Sequence, residues 1–399
     1  MSSASLTRRS TKNGGSRWLT GQVVYLTLGP RLSLTDTEQY SGKENLELES
    51  SIDVHVEELI QLIRSKYLST ETRTKPMDFA RKIQYLTLDV ISEVGFGEPF
   101  GNLRADKDVN EYIKAGEIGL TVTTLGLGLG LTWFLQLPLV ARFLGPSEDD
   151  VVGFGRLIRN ARSIVETRLK RETSQRSDML ASFVRHGLNA EELVSETVLQ
   201  IIAGSDTTAS ALRGIMLYLL SHPRVYSKLQ AEIDATARMG YPGVIPDSEL
   251  RKLPYLQAVI KEGLRIHPPI TDSVPKRVPD GGDTVVVDGK SVFLPGGTHI
   301  SYAAWPLHRS KAIFGEDADV FRPERWLLEE DEKRLAEMNR THELIFGYGK
   351  YQCLGRPIAL MEIGKAVYEV SDAVLSYVRP YEQRLAGQFH PLTVHQRPC

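Results

Sequence analysis

Cysteine is scarce in this sequence: 399 residues contain two, Cys353 and the terminal Cys399. Two cysteines cannot build a disulfide framework or a cysteine-rich zinc site. Cys353 is therefore either an inert buried thiol or a functional one. An excess of charge of one sign is lacking as well. The chain has 48 Lys and Arg against 50 Asp and Glu, a net of −2, so bulk charge does not point to a nucleic-acid partner. Acids are missing from residues 1–35, which carry Arg8, Arg9, Lys12, Arg17 and Arg31 among many Ser and Thr. This end shows neither a signal peptide nor a run of about 20 apolar residues, so no N-terminal membrane anchor is expected in it. Residues 1–38 read as a disordered basic leader with a faint likeness to a transit peptide. No Pro/Gly/Ser-rich linker and no internal repeat divides residues 39–399. One large, mainly helical domain is expected, long enough to enclose a cofactor.

Helical periodicity is what the chain has in abundance. Apolar residues at Ile52, Val56, Leu59, Ile60 and Ile63 predict a helix over Ile52–Tyr67. A second helix, Phe79–Phe96, carries Ile83, Leu86, Val90, Ile91 and Val94 on one stripe, and Gly97 and Pro99 end it. Further helices are expected at Asp149–Lys170, Val225–Thr236, Tyr255–Ile266 and from about Pro357 through Val370. The longest, Ala190–His222, has 33 residues and so spans roughly 50 Å, with Pro223 closing it. Thr284–Val287 and Ser291–Leu294 flank Asp288-Gly289, a hairpin signal. Residues 118–141 carry no charge. Their glycines (Gly126, Gly128, Gly130) and Pro138 argue for a loose apolar loop or short helices that touch a bilayer or cover a pocket, not for a membrane span.

Three stretches carry chemistry. Around Cys353 the sequence is Phe346-Gly347-Tyr348-Gly349-Lys350-Tyr351-Gln352-Cys353-Leu354-Gly355-Arg356-Pro357. Glycines let this backbone approach a flat cofactor closely, and Pro357 suits a first helical turn. The thiol thus precedes a helix N-terminus, where N–H groups and the macrodipole favour thiolate, a ligand suited to iron. Mid-way along the longest helix stands Ala203-Gly204-Ser205-Asp206-Thr207-Thr208, a polar island among apolar neighbours that needs partners or a purpose. Glu262 and Arg265 lie three apart on one helix face and can pair; Arg325 falls in Phe321-Arg322-Pro323-Glu324-Arg325-Trp326.

The run Phe, two residues, Gly, three residues, Cys, one residue, Gly resembles the haem-binding signature of the cytochrome P450 family. The other two stretches resemble that family's oxygen-activation helix and charged triad, in the family's order. Upstream, "PMDFARKIQYLTLDVISEVGFG" is similar to fungal members of the pisatin demethylase-like group. The resemblance implies a mainly α (α+β) fold, helix-rich with small antiparallel sheets and with its front part incomplete, hence an N-terminally truncated domain. It implies haem b with Cys353 as axial thiolate, in a loop that includes Phe346, Gly349 and Gly355. Arg277 would contact a haem propionate, because Tyr351 stands where the family usually has a basic residue. Asp206 and Thr207 would steer protons to the reacting dioxygen, with Thr208 the alternative hydroxyl, and Gly204 would kink the helix and leave room for dioxygen. Glu262, Arg265 and Arg325 would lock the core as a structural triad. Implied partners are a lipophilic substrate such as a terpenoid or polyketide, O2, an NADPH-dependent reductase and a membrane surface through residues 118–141, with the endoplasmic reticulum as location. Two rivals stand beside this monooxygenase: a catalytically impaired haem-binding remnant, and a haem enzyme of isomerisation or dehydration, against which the Asp206-Thr207 pair speaks.

Overall fold

The structure is a computed structural model and describes residues 47–373, except 71, 132–133, 135–136, 138, 141–142, 144, 171–176, 238–239, 272–275 and 350–351. The leader 1–38, Lys350, Tyr351 and Cys399 lie outside the described residues, as does part of 118–141. The longer helices are α1 (Leu48–Leu62), α2 (Phe79–Phe96), α3 (Tyr112–Gly128), α4 (Gly153–Lys170), α5 (Met179–Arg185), α6 (Ala190–Ser221), α7 (Pro223–Ala237), α8 (Pro254–Ile266), α9 (Glu332–Glu343) and α10 (Arg356–Ala373). Four short strands, β1 (Lys276–Arg277), β2 (Asp283–Val287), β3 (Lys290–Leu294) and β4 (His299–Ile300), pair antiparallel as β1–β4 and β2–β3. This is the mainly helical class with small antiparallel sheets that the sequence implied. Packing divides the described residues into two units: those within 47–51, 84–206 and 349–357 in one, and those within 52–83, 207–348 and 358–373 in the other.

In the first unit the α2 stripe is buried as expected: Leu86, Val90, Ile91 and Val94 are all under a tenth exposed. Asp89 is fully buried on the same helix and fully used. Its Oδ1 accepts from the Asn102 backbone N–H at 3.0 Å and Nδ2 at 2.8 Å, and its Oδ2 from the Leu103 N–H at 2.9 Å. A carboxylate so saturated anchors the Asn102–Ala105 turn to α2 without an unpaired buried charge. α3 packs on α4, where a Cβ at Gly119 would sit 2.5 Å from the Phe154 ring, so glycine allows this close approach. Asp178 caps α5 by accepting from the Ala181 N–H at 2.9 Å, and also pairs with buried Arg168 at 2.8 Å.

Of the two alternatives expected for residues 118–141, a loose loop or short helices, the part up to Gly128 takes the helical one. α3 runs unbroken through Gly126 to Gly128. Each glycine costs about 1 kcal/mol relative to alanine in a helix, and packing of α3 on α4 offsets that. Its other face is apolar and exposed at Val122 and Leu125, continuing at Leu129 and Leu131. Among the described residues no helix is long and apolar enough to cross a membrane.

In the second unit, Ala258, Phe314, Ala318, Trp326 and Met338 form a buried cluster against α8 and α9. Pro254 opens α8 at its first turn and Asp331 caps α9, accepting from Lys333 N–H at 2.9 Å. Pro223 heads α7 rather than merely ending α6. The expected hairpin forms with Val287 opposite Lys290, and Asp288 (φ 50°) and Gly289 (φ 74°) turn it in the left-handed region that a two-residue primed turn requires.

Candidate functional site

Cys353 stands in the first unit, on the loop entering α10. Its residue is exposed, not an inert core cysteine. Gly347 (φ 75°) and Gly349 (φ 60°) take left-handed conformations that turn the backbone ahead of it, and a Cβ on Gly349 or Gly355 would meet nothing within 4 Å. The Gln352 N–H donates to the Gly349 carbonyl at 3.0 Å, closing the turn. Crowding by protein pushes the thiol pKa up, while hydrogen bonds from the Gly355 and Arg356 backbone N–H groups pull it down. The net is upward, a correction to the thiolate expected from position alone. The two N–H donors are as foreseen, but desolvation outweighs them until a cation binds the sulfur. A sulfur facing two N–H donors on an exposed glycine loop fits the donor set of a haem-thiolate ligand.

The polar island lies within α6. Ser205 turns its hydroxyl back to the Ile201 carbonyl at 2.6 Å, so it satisfies itself within the helix. Asp206 is half-buried, and its Oδ1 accepts from Gln84 Nε2 of α2 at 3.3 Å. No local pattern marks this partner, 122 residues away. Thr207 is half-buried and Thr208 buried. Gly204 differs from expectation. A Cβ there would lie 2.5 Å from Ile91 Cγ1, so the space its missing side chain leaves is taken by α2, and α6 continues without a break. Its role here is a close helix–helix approach.

Phe346 is half-buried at the end of a single 3-10 turn, Leu344–Phe346, in the second unit. Arg277 on β1 is largely exposed, and its guanidinium donates to Asp280 Oδ1 at 2.6 Å.

The second unit brings Glu262, Arg265 and Arg325 together. Glu262 and Arg265 are fully buried and Arg325 is 2% exposed. Arg265 donates to both Glu262 oxygens, Nη2 to Oε1 at 2.8 Å and Nε to Oε2 at 2.9 Å. Arg325 Nε reaches Oε1 at 2.9 Å. Two donors escaped the sequence: Trp326 Nε1 to Oε2 and the Arg322 N–H to Oε1, both at 2.9 Å. The remaining guanidinium N–H groups find carbonyls, Arg265 on His308 and Ala318 and Arg325 on Phe314 and Asp317. Asp317 adds a carboxylate at 3.1 Å from Arg325 Nη1. Every buried charge therefore has partners, the condition under which such a network is tolerable. His308 beside it stays neutral, its pKa depressed to about 4 by burial and then by Arg265 and Arg309.

Comparison with known proteins covers most of the chain. The model of the family described as Cytochrome P450 matches residues 31–370. A cytochrome P450 monooxygenase named ABA1 from Pyricularia oryzae is 44% identical over 338 residues, covering 83% of this chain and 65% of that relative. One named aba1 from Botryotinia fuckeliana is 36% identical over 401 residues, covering 96% of this chain and 77% of its own length. Pisatin demethylase from Fusarium vanettenii is 32% identical over 307 residues, covering 74% of this chain and 56% of its own length. The chain thus spans about two thirds of the Pyricularia relative's length and, carrying the Asp206 island, the buried triad and the Cys353 loop in that order along it, belongs to the cytochrome P450 family.

Proposed function

We propose that this protein is a haem-thiolate monooxygenase that places one oxygen atom of dioxygen into a lipophilic small molecule. The observation that carries the reading is the Cys353 loop, an exposed residue whose sulfur faces two backbone N–H donors in a chain of this family. Haem b, when bound, supplies the oxidising iron chemistry that no side chain can. Cys353 would hold it through Sγ. The N–H groups of Gly355 and Arg356 would spread the sulfur's negative charge and so tune how strongly it donates. Gly349 and Gly355 keep side chains off the loop, and Phe346 opens the signature that runs into it. Arg277 would hold a propionate by exchanging its exposed partner Asp280 for it, an exchange that costs little at the surface.

Asp206 and Thr207 are assigned to proton handling. Asp206 offers a half-buried carboxylate that can take up and release a proton, and the Thr207 hydroxyl both accepts and donates. Half-buried Thr207 suits a hydroxyl that must exchange protons better than buried Thr208 does. The electrons would come from an NADPH-dependent reductase. The substrate is proposed as a terpenoid or polyketide of secondary metabolism. The apolar exposed face of α3, with Val122, Leu125 and Leu129, would rest on a membrane surface, that of the endoplasmic reticulum.

Purified protein reconstituted with haem, a reductase and NADPH, under 18O2 and with a panel of terpenoids and polyketides, tests the reading. Incorporation of one 18O per product is expected, and Thr207→Ala should lose product while releasing peroxide. Oxidised product with no label from 18O2, or a Thr207→Ala variant of unchanged coupling, overturns it.

A further inference from the structure

Gln84 and Asp206 meet beside a cavity in the first unit. The cavity measures about 50 Å³, and Tyr112, Gly116, Glu117 and Ser205 line it together with the pair. Water needs about 10–15 Å³ by this measure and two to four polar partners. Three or four waters fit, and the lining offers the partners. Gln84 and Asp206 present an amide and a carboxylate at one end. The Ser205 hydroxyl, whose proton is committed to the Ile201 carbonyl, still has lone pairs to accept with. Tyr112 is buried and its phenol pKa is pushed up by that burial, so it stays an O–H donor. Glu117 lines the cavity and is exposed to solvent. The rest of the lining is apolar, from Leu88 and Ile201 among others, which keeps waters against the polar groups.

Gln84 is 5% exposed on α2, with Nε2 on Asp206 Oδ1 at 3.3 Å. A buried amide on a carboxylate fixes which way that carboxylate turns. We propose that Gln84 is a positioning residue that holds Asp206 toward a water cluster in this cavity, and that the cluster, fed from Glu117, refills Asp206 with protons. The inference rests on the proton-handling role proposed for Asp206. Each proton that Asp206 passes on is replaced by one from a cavity water, which takes one in turn from bulk water at Glu117, so charge balances and no electron moves.

Gly116 supplies the test, because it lines the cavity and a Cβ built on it meets nothing within 4 Å, so a branched side chain can be introduced there. In the folded full-length protein, long-lived water should give nuclear Overhauser cross-peaks to the Gln84 side-chain amide. Gly116→Val should abolish them, and Asp206→Asn should shift the amide signal. In the haem-loaded enzyme with reductase, NADPH and farnesol as the probe, Gly116→Val and Gln84→Leu should each raise peroxide per NADPH by about 10-fold and enlarge the solvent isotope effect, with farnesol affinity unchanged. If Asp206→Asn itself stays coupled, the relay reading fails. If Asp206→Asn uncouples while Gly116→Val and Gln84→Leu do not, the present inference alone fails. Weakened farnesol binding with coupling kept in Gly116→Val makes the cavity a substrate subsite and overturns it. Should Gln84→Leu not fold, Gly116→Val and the amide signal decide.

Discussion

Removing Glu262 should unfold this protein more readily than any surface substitution. The carboxylate takes five hydrogen bonds: two from Arg265 and one each from Arg325, Trp326 and the Arg322 N–H. Glu262→Ala deletes all five and strands two guanidinium groups that are 0% and 2% exposed. Breaking one member of a buried ion pair costs about 3–5 kcal/mol. Both arginines keep backbone carbonyls, on His308, Ala318, Phe314 and Asp317, so the two losses do not simply add. About 5 kcal/mol is expected. A chain of this size has a urea slope above the roughly 1–3 kcal/mol/M of small proteins, so the midpoint should fall by about 1 M. Arg251→Ala makes the comparison. Its ion pair with Asp247 has the arginine 60% exposed, and such pairs contribute under about 1 kcal/mol. Equilibrium urea unfolding followed by far-UV circular dichroism measures both. A Glu262→Ala midpoint no lower than that of Arg251→Ala would refute the reasoning that Glu262 is the main compensating carboxylate of the triad.

Glu362 on α10 should make stability fall as pH rises. It is 2% exposed, its Oε1 has no partner among the described residues, and burial lifts its pKa from 4.5 to about 8. Below pH 4.5 folded and unfolded chains both hold the proton; between 4.5 and about 8 only the folded chain does, so stability is lost across that window and levels off above it. Glu362→Gln should flatten this slope and exceed the wild type at pH 8 by on the order of 3 kcal/mol in urea titrations; an unchanged slope contradicts it. Gly204→Ala should cost about 1–3 kcal/mol by overpacking against Ile91, and Ile91→Ala in the same chain should recover much of that. Additive losses in this double-mutant cycle would show that the two positions do not touch.

Local signals were legible where local chemistry decides. The α2 helix spans the bounds its stripe and its Gly97-Glu98-Pro99 ending predict, and Asp288-Gly289 turns the hairpin at the expected pair. The triad was legible as three residues but not as a network, because Trp326 and the Arg322 N–H reach Glu262 across 60 or more residues. Gln84 was silent for the same reason: nothing in a helical stripe marks an amide that will meet a carboxylate on another helix. The glycines of α3 left loop and helix both open, because their local cost was visible while the tertiary packing against α4 that outweighs it was not. For Cys353, the helix start and glycine loop revealed the N–H donors, but the crowding that raises the thiol pKa belongs to the folded chain.

Reduction of the haem-reconstituted protein under carbon monoxide measures the sulfur ligand most directly. The wild type should give the red-shifted Soret band of thiolate-ligated haem, and folded Cys353→Ala should lose it. A folded wild type without that band, or a Cys353→Ala variant that keeps it, would contradict the assignment of Cys353 as the axial ligand.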